Sequence, residues 1–302
     1  MRIAVIGAGA IGGYYGGLLS QVADVTFIAR GATLDALTHK GLELRDGEGA
    51  RVVRVNATDS ATDVGVVDVV IVTTKARDLR AALEAAQPLF GPRTLVMPVQ
   101  NGVEAPYLTA GYVGERAVVP CIVRGFLEHV GPAVVAYHGG PRSFTFNAWD
   151  NQTTSAITAI ATAIGQAGFE AVIPDNVWVD LWEKAMFVVP LGALGALAEQ
   201  PLGVLRGQLR AQLTAVIAEI RDVAIARGVP LDAQTITRTL AFGDGLPAES
   251  TSSMQRDILQ GKPSELDAQV GGIVRQARMV GTATPLLDLM LDILRLRPGQ
   301  DA

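Results

Sequence analysis

Two kinds of hydrophobic pattern divide the chain. In the first half, short apolar runs are separated by small or polar turn residues. Residues 3–6 form one such run, and the segment 24–29 a second. Residues 41–44 and 51–55 alternate around the turn at Asp46-Gly47, and residues 66–74 form a nearly continuous apolar stretch. These spacings predict strands, the last of them buried on both faces. Small-residue or mixed segments between them predict helices over 13–21 and from Lys75 through Ala86. Further strands are predicted at 94–97, 117–120, 133–138 and 143–147. A helix follows on Ile157, Ile160, Ala161 and Ile164, and then one short strand at 168–173.

Past Pro174-Asp175-Asn176 only helical spacing recurs. Trp178, Leu181 and Trp182 share a face, and Asp175 or Asn176 is placed to cap that helix. A long helix is predicted over 205–227, with Leu209, Leu213, Val216, Ile217, Ile220 and Val223 on one side and Gly228 closing it. More helices fit 233–242, 253–259, 265–280 and 285–296. The fold class expected is therefore α/β plus all-α. A parallel-sheet domain spans 1–174 and an all-helical domain 175–302, with the cleft between them as the natural site for chemistry.

Composition supports this division. The 302 residues suffice for two domains at about 100–200 residues each. Hydrophobic residues make up 49% and aromatics only 5%, so the cores are built from Ala, Val, Leu and Ile. A net charge of −5 argues against a general nucleic-acid binder. The lone Cys121 forms no internal disulfide, which fits a reducing cytoplasm. His39, His129 and His138 lack metal-ligand spacing, so no metal is expected. The uncharged apolar run at 185–198 is shorter than the ~20 residues of a membrane span. It reads as a buried helix, and no membrane partner is expected.

The densest motif comes first. Gly7, Ala8, Gly9, Ala10, Ile11 and Gly12 follow a strand in the spacing G-x-G-x-x-G. The first glycine permits the turn and the second admits a pyrophosphate close to the backbone. The third lets helix and strand pack closely, the pattern of a Rossmann-type dinucleotide site. A secretory signal is the competing reading. The glycines make a poor apolar helix, however, and the pattern runs on into a second strand. At that strand's end stands Arg30, eighteen residues past Gly12, where an acid would select NAD. A guanidinium suits a 2′-phosphate, so NADP(H) is the cofactor expected; the alternative is a surface arginine. Lys75 and Asn101 fall at carboxyl ends of strands, where such sheets bind ligands. Loop solvation and the Asn101-Gly102 turn are their simpler readings.

Reduction of a carbonyl needs a proton donor, and no histidine is placed for it. Lys184 is the last charged residue before the apolar run. Desolvation there would bring its pKa toward neutrality, as a general acid requires. Pairing with Glu183 or Asp180 on the helix surface is the other reading. The hydroxyl-rich stretch 249–254 could grip a carboxylate. Equally, Ser252 or Ser253, and Ser264, could serve as two helix caps.

Taken together, these pieces resemble the ketopantoate reductases (2-dehydropantoate 2-reductases) over nearly the whole chain. The resemblance rests on residues 7–12, Lys75-Ala76, Gln100-Asn101-Gly102-Val103, Trp182-Glu183-Lys184, Ser252-Ser253-Met254-Gln255-Arg256-Asp257, Glu265-Leu266-Asp267 and Gly281-Thr282-Ala283-Thr284-Pro285. It implies Lys184 as proton donor, NADP held by residues 7–12 and Lys75, and Asn101 touching cofactor and substrate. It further implies Ser253 on the substrate, Glu265 contacting the cofactor near the reaction centre, and a backbone contact from 123–125. A small 2-oxo acid would be the substrate, ketopantoate on the way to pantothenate being the first choice, with a homodimer among the assemblies open to it. The chain departs from the family where asparagines and another polar residue are usual, carrying Val188, Gly192 and Leu202. A paralogue acting on a less polar 2-oxo acid or ketone is the alternative. A non-catalytic NADP-binding regulator is another, which retention of both Lys184 and Glu265 disfavours.

Overall fold

The computed structural model describes residues 1–300. Two compact units divide it by contacts. One comprises Met1–Gln100 with Ala105–Val177, the other Asn101–Glu104 with the chain from Trp178 onward.

The first unit holds twelve strands: β1 Arg2–Ile6, β2 Asp24–Ile28, β3 Leu42–Asp46, β4 Gly49–Val53, β5 Asn56–Thr58, β6 Val69–Val72, β7 Leu95–Pro98, β8 Cys121–Arg124, β9 Leu127–Gly131, β10 Val134–Tyr137, β11 Ser143–Phe146 and β12 Glu170–Val172. Its helices are α1 Ala10–Leu19, α2 Gly31–His39, α3 Ala61–Val64, α4 Leu79–Ala85, α5 Ala105–Val113 and α6 Ser155–Gln166. The central sheet is parallel, in the order β5-β2-β1-β6-β7. Because side chains alternate across a strand, Ile3 and Val5 join one core while Ala4 and Ile6 join the core on the opposite face. That is why the run reads as unbroken apolar sequence. Two smaller sheets, β4-β3-β10-β9 and β12-β11-β8, complete the unit.

The glycines of α1 have a packing cause. A Cβ at Gly16 would press on Phe27 and Val5 of the central sheet, and one at Gly13 or Gly17 on Val135 or Leu42 of the second sheet. The helix is squeezed between two sheets, and only hydrogen fits at those three positions.

Some elements differ from those predicted. Residues 117–120 are not a strand: Glu115–Ala117 is a 3-10 turn, Val118 makes one isolated bridge to Val96, and the strand starts at Cys121. Pro120 has no N–H to give a ladder. β9 escaped prediction because it is an edge strand whose Glu128 and His129 are exposed, so it shows no apolar alternation.

The second unit is helical: α7 Val177–Ala198, α8 Leu202–Arg206, α9 Arg210–Ala226, α10 Thr235–Asp244, α11 Ser253–Leu259, a π-helical turn Asp267–Gly271, α12 Gly272–Val280 and α13 Pro285–Arg295. The single helix expected over 205–227 is two, broken at Gly207, whose backbone (φ −96°, ψ −87°) leaves the helical region. Arg206 then reaches the Gly243, Asp244 and Leu246 carbonyls at 2.7–2.9 Å, satisfying the end of α10. α7 is longer than the apolar run suggested, and by length and composition it could cross a membrane. However, 61% of its most apolar window is buried inside the protein, as in a core helix.

Candidate active site

The carboxyl edge of the parallel sheet gathers three of the segments singled out above. Ile6 pairs with Ile28 on one side and with Val72 on the other. Gly7, Ala29-Arg30 and Thr73-Thr74-Lys75 therefore leave the sheet at one level. β2 lies on one flank of β1 and β6 on the other, which makes this the switch point where open α/β sheets bind ligands.

Gly7 turns at φ +95° and donates its N–H to the Ile28 carbonyl at 3.0 Å. α1 begins after Gly9 with no side-chain cap and no acid in its first turn. Its leading N–H groups thus lack helical partners at the positive end of the dipole. A Cβ built on Gly9 meets nothing within 4 Å, so the space over the turn is open. At Gly12 the opposite holds, because a Cβ there overlaps the Gly7 carbonyl oxygen and the Thr73 hydroxyl. That hydroxyl lies 3.0 Å from the Ile6 carbonyl and 2.8 Å from that of Gly7, locking β6 to the turn. Thr73 was missed in the sequence, where a threonine ending a strand is unremarkable. Ala8 is buried, and Ala10 and Ile11 are partly so. Arg30 and Lys75 are exposed, and neither side chain is paired among the described residues. Gln100 staples the end of β7 to β6 through the Val72 and Thr74 carbonyls at 2.9 and 3.0 Å. In the 123–125 region the Arg124 carbonyl accepts the Tyr15 hydroxyl at 2.6 Å, and burial holds that phenol above its ordinary range.

The helical unit assembles a second group. Lys184, about two turns into α7 and half-buried, donates from Nζ to Asn101 Oδ1 at 2.9 Å. Asn101 Nδ2 donates to Glu265 Oε2 at 3.2 Å, and that oxygen also accepts Gln269 Nε2 at 3.1 Å. An ammonium only donates and a carboxylate only accepts, so the two charges dictate which way the Asn101 amide points. Glu183 pairs with Arg238 at 2.7 Å.

Gln269 is the member that sequence reasoning overlooked. It is 1% exposed and sits in the π-helical turn, a distortion whose hydrogen-bond pattern leaves no mark in residue spacing. Ser252 is a cap, accepting the Gln255 N–H at 3.0 Å. Ser264 likewise accepts the Leu266 N–H at 3.1 Å. Ser253 is exposed at the start of α11, outside the Lys184 group's hydrogen bonds. Of the three depolarised positions, Val188 is half-buried one turn past Lys184 on the same face of α7. Gly192 leaves room that Met254 and the Ser252 hydroxyl occupy. Leu202 is 1% exposed and belongs to the core. No cluster of His, Cys, Asp or Glu able to hold a metal occurs among the described residues.

A parallel sheet with a glycine turn at its switch point has the form of a dinucleotide-binding domain. Comparison with known proteins narrows the class. The model of the ketopantoate reductase PanE/ApbA family matches residues 3–151 and that of its C-terminal domain residues 176–297, and the chain belongs to this family. It is 30% identical to a 2-dehydropantoate 2-reductase of Mesorhizobium japonicum, over 98% of this chain and 97% of that one. A crystal structure of a PanE/ApbA family ketopantoate reductase from Ralstonia eutropha JMP134 superposes at TM-score 0.86 with 30% identity, covering 98% of each chain. D-mandelate dehydrogenase, solved with NADH and anilino(oxo)acetate, shares the fold at TM-score 0.85 with 22% identity, over 98% of this chain and 97% of that one.

Proposed function

We propose that the protein reduces a branched 2-oxo acid to the 2-hydroxy acid with NADPH, ketopantoate being the first choice of substrate. The observation that carries this reading is the hydrogen-bonded chain Lys184, Asn101, Glu265. A reductase needs a proton donor held at a fixed atom, and a bare helix-surface lysine would lack such a partner.

The glycine turn fits a dinucleotide, with open space over Gly9, uncapped N–H groups at α1 and two unpaired cations beside it. Arg30 would hold the 2′-phosphate and Lys75 would lie along the phosphates. A bound nicotinamide supplies the hydride. Lys184 gives its proton to the substrate oxygen as charge develops there. Asn101 fixes Nζ during that step, and Glu265 with Gln269 keeps the amide from turning. Ser253 is assigned to the substrate on the resemblance. The α/β unit is read as the cofactor domain and the helical unit as the substrate and catalytic domain.

Val188 favours a second reading, a substrate with an apolar group where ketopantoate has its hydroxyl. A buried hydroxyl without a partner costs about 1–3 kcal/mol, enough to shift preference about 10–100-fold. A panel of 2-oxo acids followed by NADPH absorbance tests both. Turnover of ketopantoate supports the first reading. Inertness toward ketopantoate, with turnover of alkyl or aryl 2-oxo acids, replaces it with the second, and Val188→Asn then moves preference toward hydroxylated substrates.

The cofactor assignment has its own test. Arg30→Asp is expected to lower kcat/KM for NADPH by about 10–100-fold while raising that for NADH, since a charge-assisted contact contributes about 1.5–3 kcal/mol. An unchanged NADPH to NADH ratio would remove Arg30 from the site.

A further inference from the structure

The segment Asn101–Glu104 follows β7 in the chain but makes its contacts in the helical unit. It lies along the π-helical turn and its flanks step by step. Asn101 bonds to Glu265, just before the turn. Gly102, at φ +97°, is so close to the turn that an added Cβ would stand 2.8 Å from the Ala268 carbonyl oxygen. Glu104 lies on the first turn of α12. Both of its carboxylate oxygens accept Arg275 Nε at 3.0 Å, Oε2 accepts Arg275 Nη2 at 2.6 Å, and Oε1 accepts Gln276 Nε2 at 3.4 Å. The Glu104 side chain is only 12% exposed. Gly272 leaves it room, since a Cβ there would stand 3.3 Å from the carboxylate.

The Arg275 fork also reaches back to the turn. Nη1 donates to Asp267 Oδ1 at 3.1 Å and Nη2 to the Asp267 carbonyl at 3.0 Å. Arg295 Nη2 also donates to Asp267 Oδ1, at 2.8 Å. The Glu104 bond holds the Arg275 guanidinium above its ordinary range despite burial. At Asp267 burial pushes the carboxyl up, and the two arginines more than offset it. One guanidinium therefore ties the end of the four-residue segment to the turn against which that segment lies.

We propose that Arg275 is a positioning residue. Through Glu104 it sets the register of Asn101–Glu104, and so the place of the carboxamide that holds the Lys184 ammonium. A buried ion pair adds little net stability against apolar replacement, but removing one partner strands a charge. Geometry is what this pair controls. The inference rests on the reading of Lys184 as proton donor.

Four variants test it: Arg275→Met, Arg275→Lys, the double variant Glu104→Met/Arg275→Met, and Asp267→Asn. The double variant leaves no stranded carboxylate and keeps the test valid if Arg275→Met fails to fold. Misplacement by about 1 Å costs on the order of 10²-fold in rate, so a partial shift should lower kcat about 10-fold or more, with KM for NADPH within about twofold. The alkaline limb of the kcat–pH profile should move as well. Arg275→Lys should recover part of the loss. Asp267→Asn removes the charge from the fork's other arm while an amide oxygen and the backbone carbonyl still accept, and should lower thermal stability while leaving kcat and the limb in place.

A folded double variant with wild-type kcat and an unmoved limb overturns the proposal. So does an Asp267→Asn loss equal to that of Arg275→Met, which would make the network merely structural. Lys184→Ala in the same assay separates the two claims. Full kcat there removes the proton donor and this inference together. Lost kcat there, beside an unchanged double variant, removes the positioning role alone.

Discussion

Lys184→Ala is expected to lower kcat by about 10²–10⁴-fold, the contribution of a placed general acid, while the protein remains folded. The side chain is half-buried and its Nζ bonds to Asn101 Oδ1. Truncation leaves that acceptor without its donor but opens no apolar cavity, so the stability cost should be about 1–3 kcal/mol. NADPH affinity, measured by fluorescence titration, should change little, because the role assigned to Lys184 is on the substrate oxygen. Lys184→Arg should not restore the rate. A guanidinium stays protonated through neutral pH and cannot give up its proton in the same range. A kcat within about threefold of wild type in Lys184→Ala would send the proton-donor assignment elsewhere, for such a factor lies far below what general-acid catalysis supplies.

The second large effect belongs to Gly12→Ala. A single methyl there overlaps both the Gly7 carbonyl oxygen and the Thr73 hydroxyl. Neither neighbour can yield cheaply. The first is backbone in a turn at φ +95°, and the second lies within hydrogen-bonding distance of the Ile6 and Gly7 carbonyls. Overpacking of this kind costs about 1–3 kcal/mol and sometimes more, relieved only by moving α1 away from β1. Moving α1 also displaces its N-terminus from the glycine turn. NADPH binding should therefore fall at least about 10-fold together with Tm, since 1.4 kcal/mol already corresponds to tenfold. Gly9→Ala makes the instructive comparison, since nothing lies within 4 Å of its added Cβ. It should leave Tm nearly unchanged and weaken NADPH alone. If Gly9→Ala and Gly12→Ala behave alike in both measurements, the division of labour between these glycines is wrong.

Much of the first unit was legible because its cues are local. A strand buried on both faces must be apolar at every position, so residues 3–6 and 69–72 declared themselves. The elements that escaped lacked such a cue. β9 carries charge on an edge, and the break between α8 and α9 turns on the backbone of Gly207 rather than on periodicity. Ser252 and Ser253 were equivalent as text; a single hydrogen bond to the Gln255 N–H made one of them the cap. Lys184 was singled out from its sequence surroundings, but its partner Asn101 lies 83 positions before it, and Glu265 stands 164 positions from Asn101.

By itself the sequence determined the α/β then all-α order, the glycine turn behind β1, the basic residue at the end of β2 and the family. The first three are written in spacing over a few tens of residues, the range over which strand and helix periodicity act, and the family in the resemblance of motifs spread along the chain. Only the tertiary structure decided that Asn101–Glu104 joins the helical unit, that Gln269 supports Glu265, and that Arg275 grips Glu104. It also decided that of Val188, Gly192 and Leu202 the last is core and the second is filled by Met254. Those outcomes depend on which distant surfaces meet, and a π-helical turn or a glycine contact leaves no period in the chain from which such a meeting could be read.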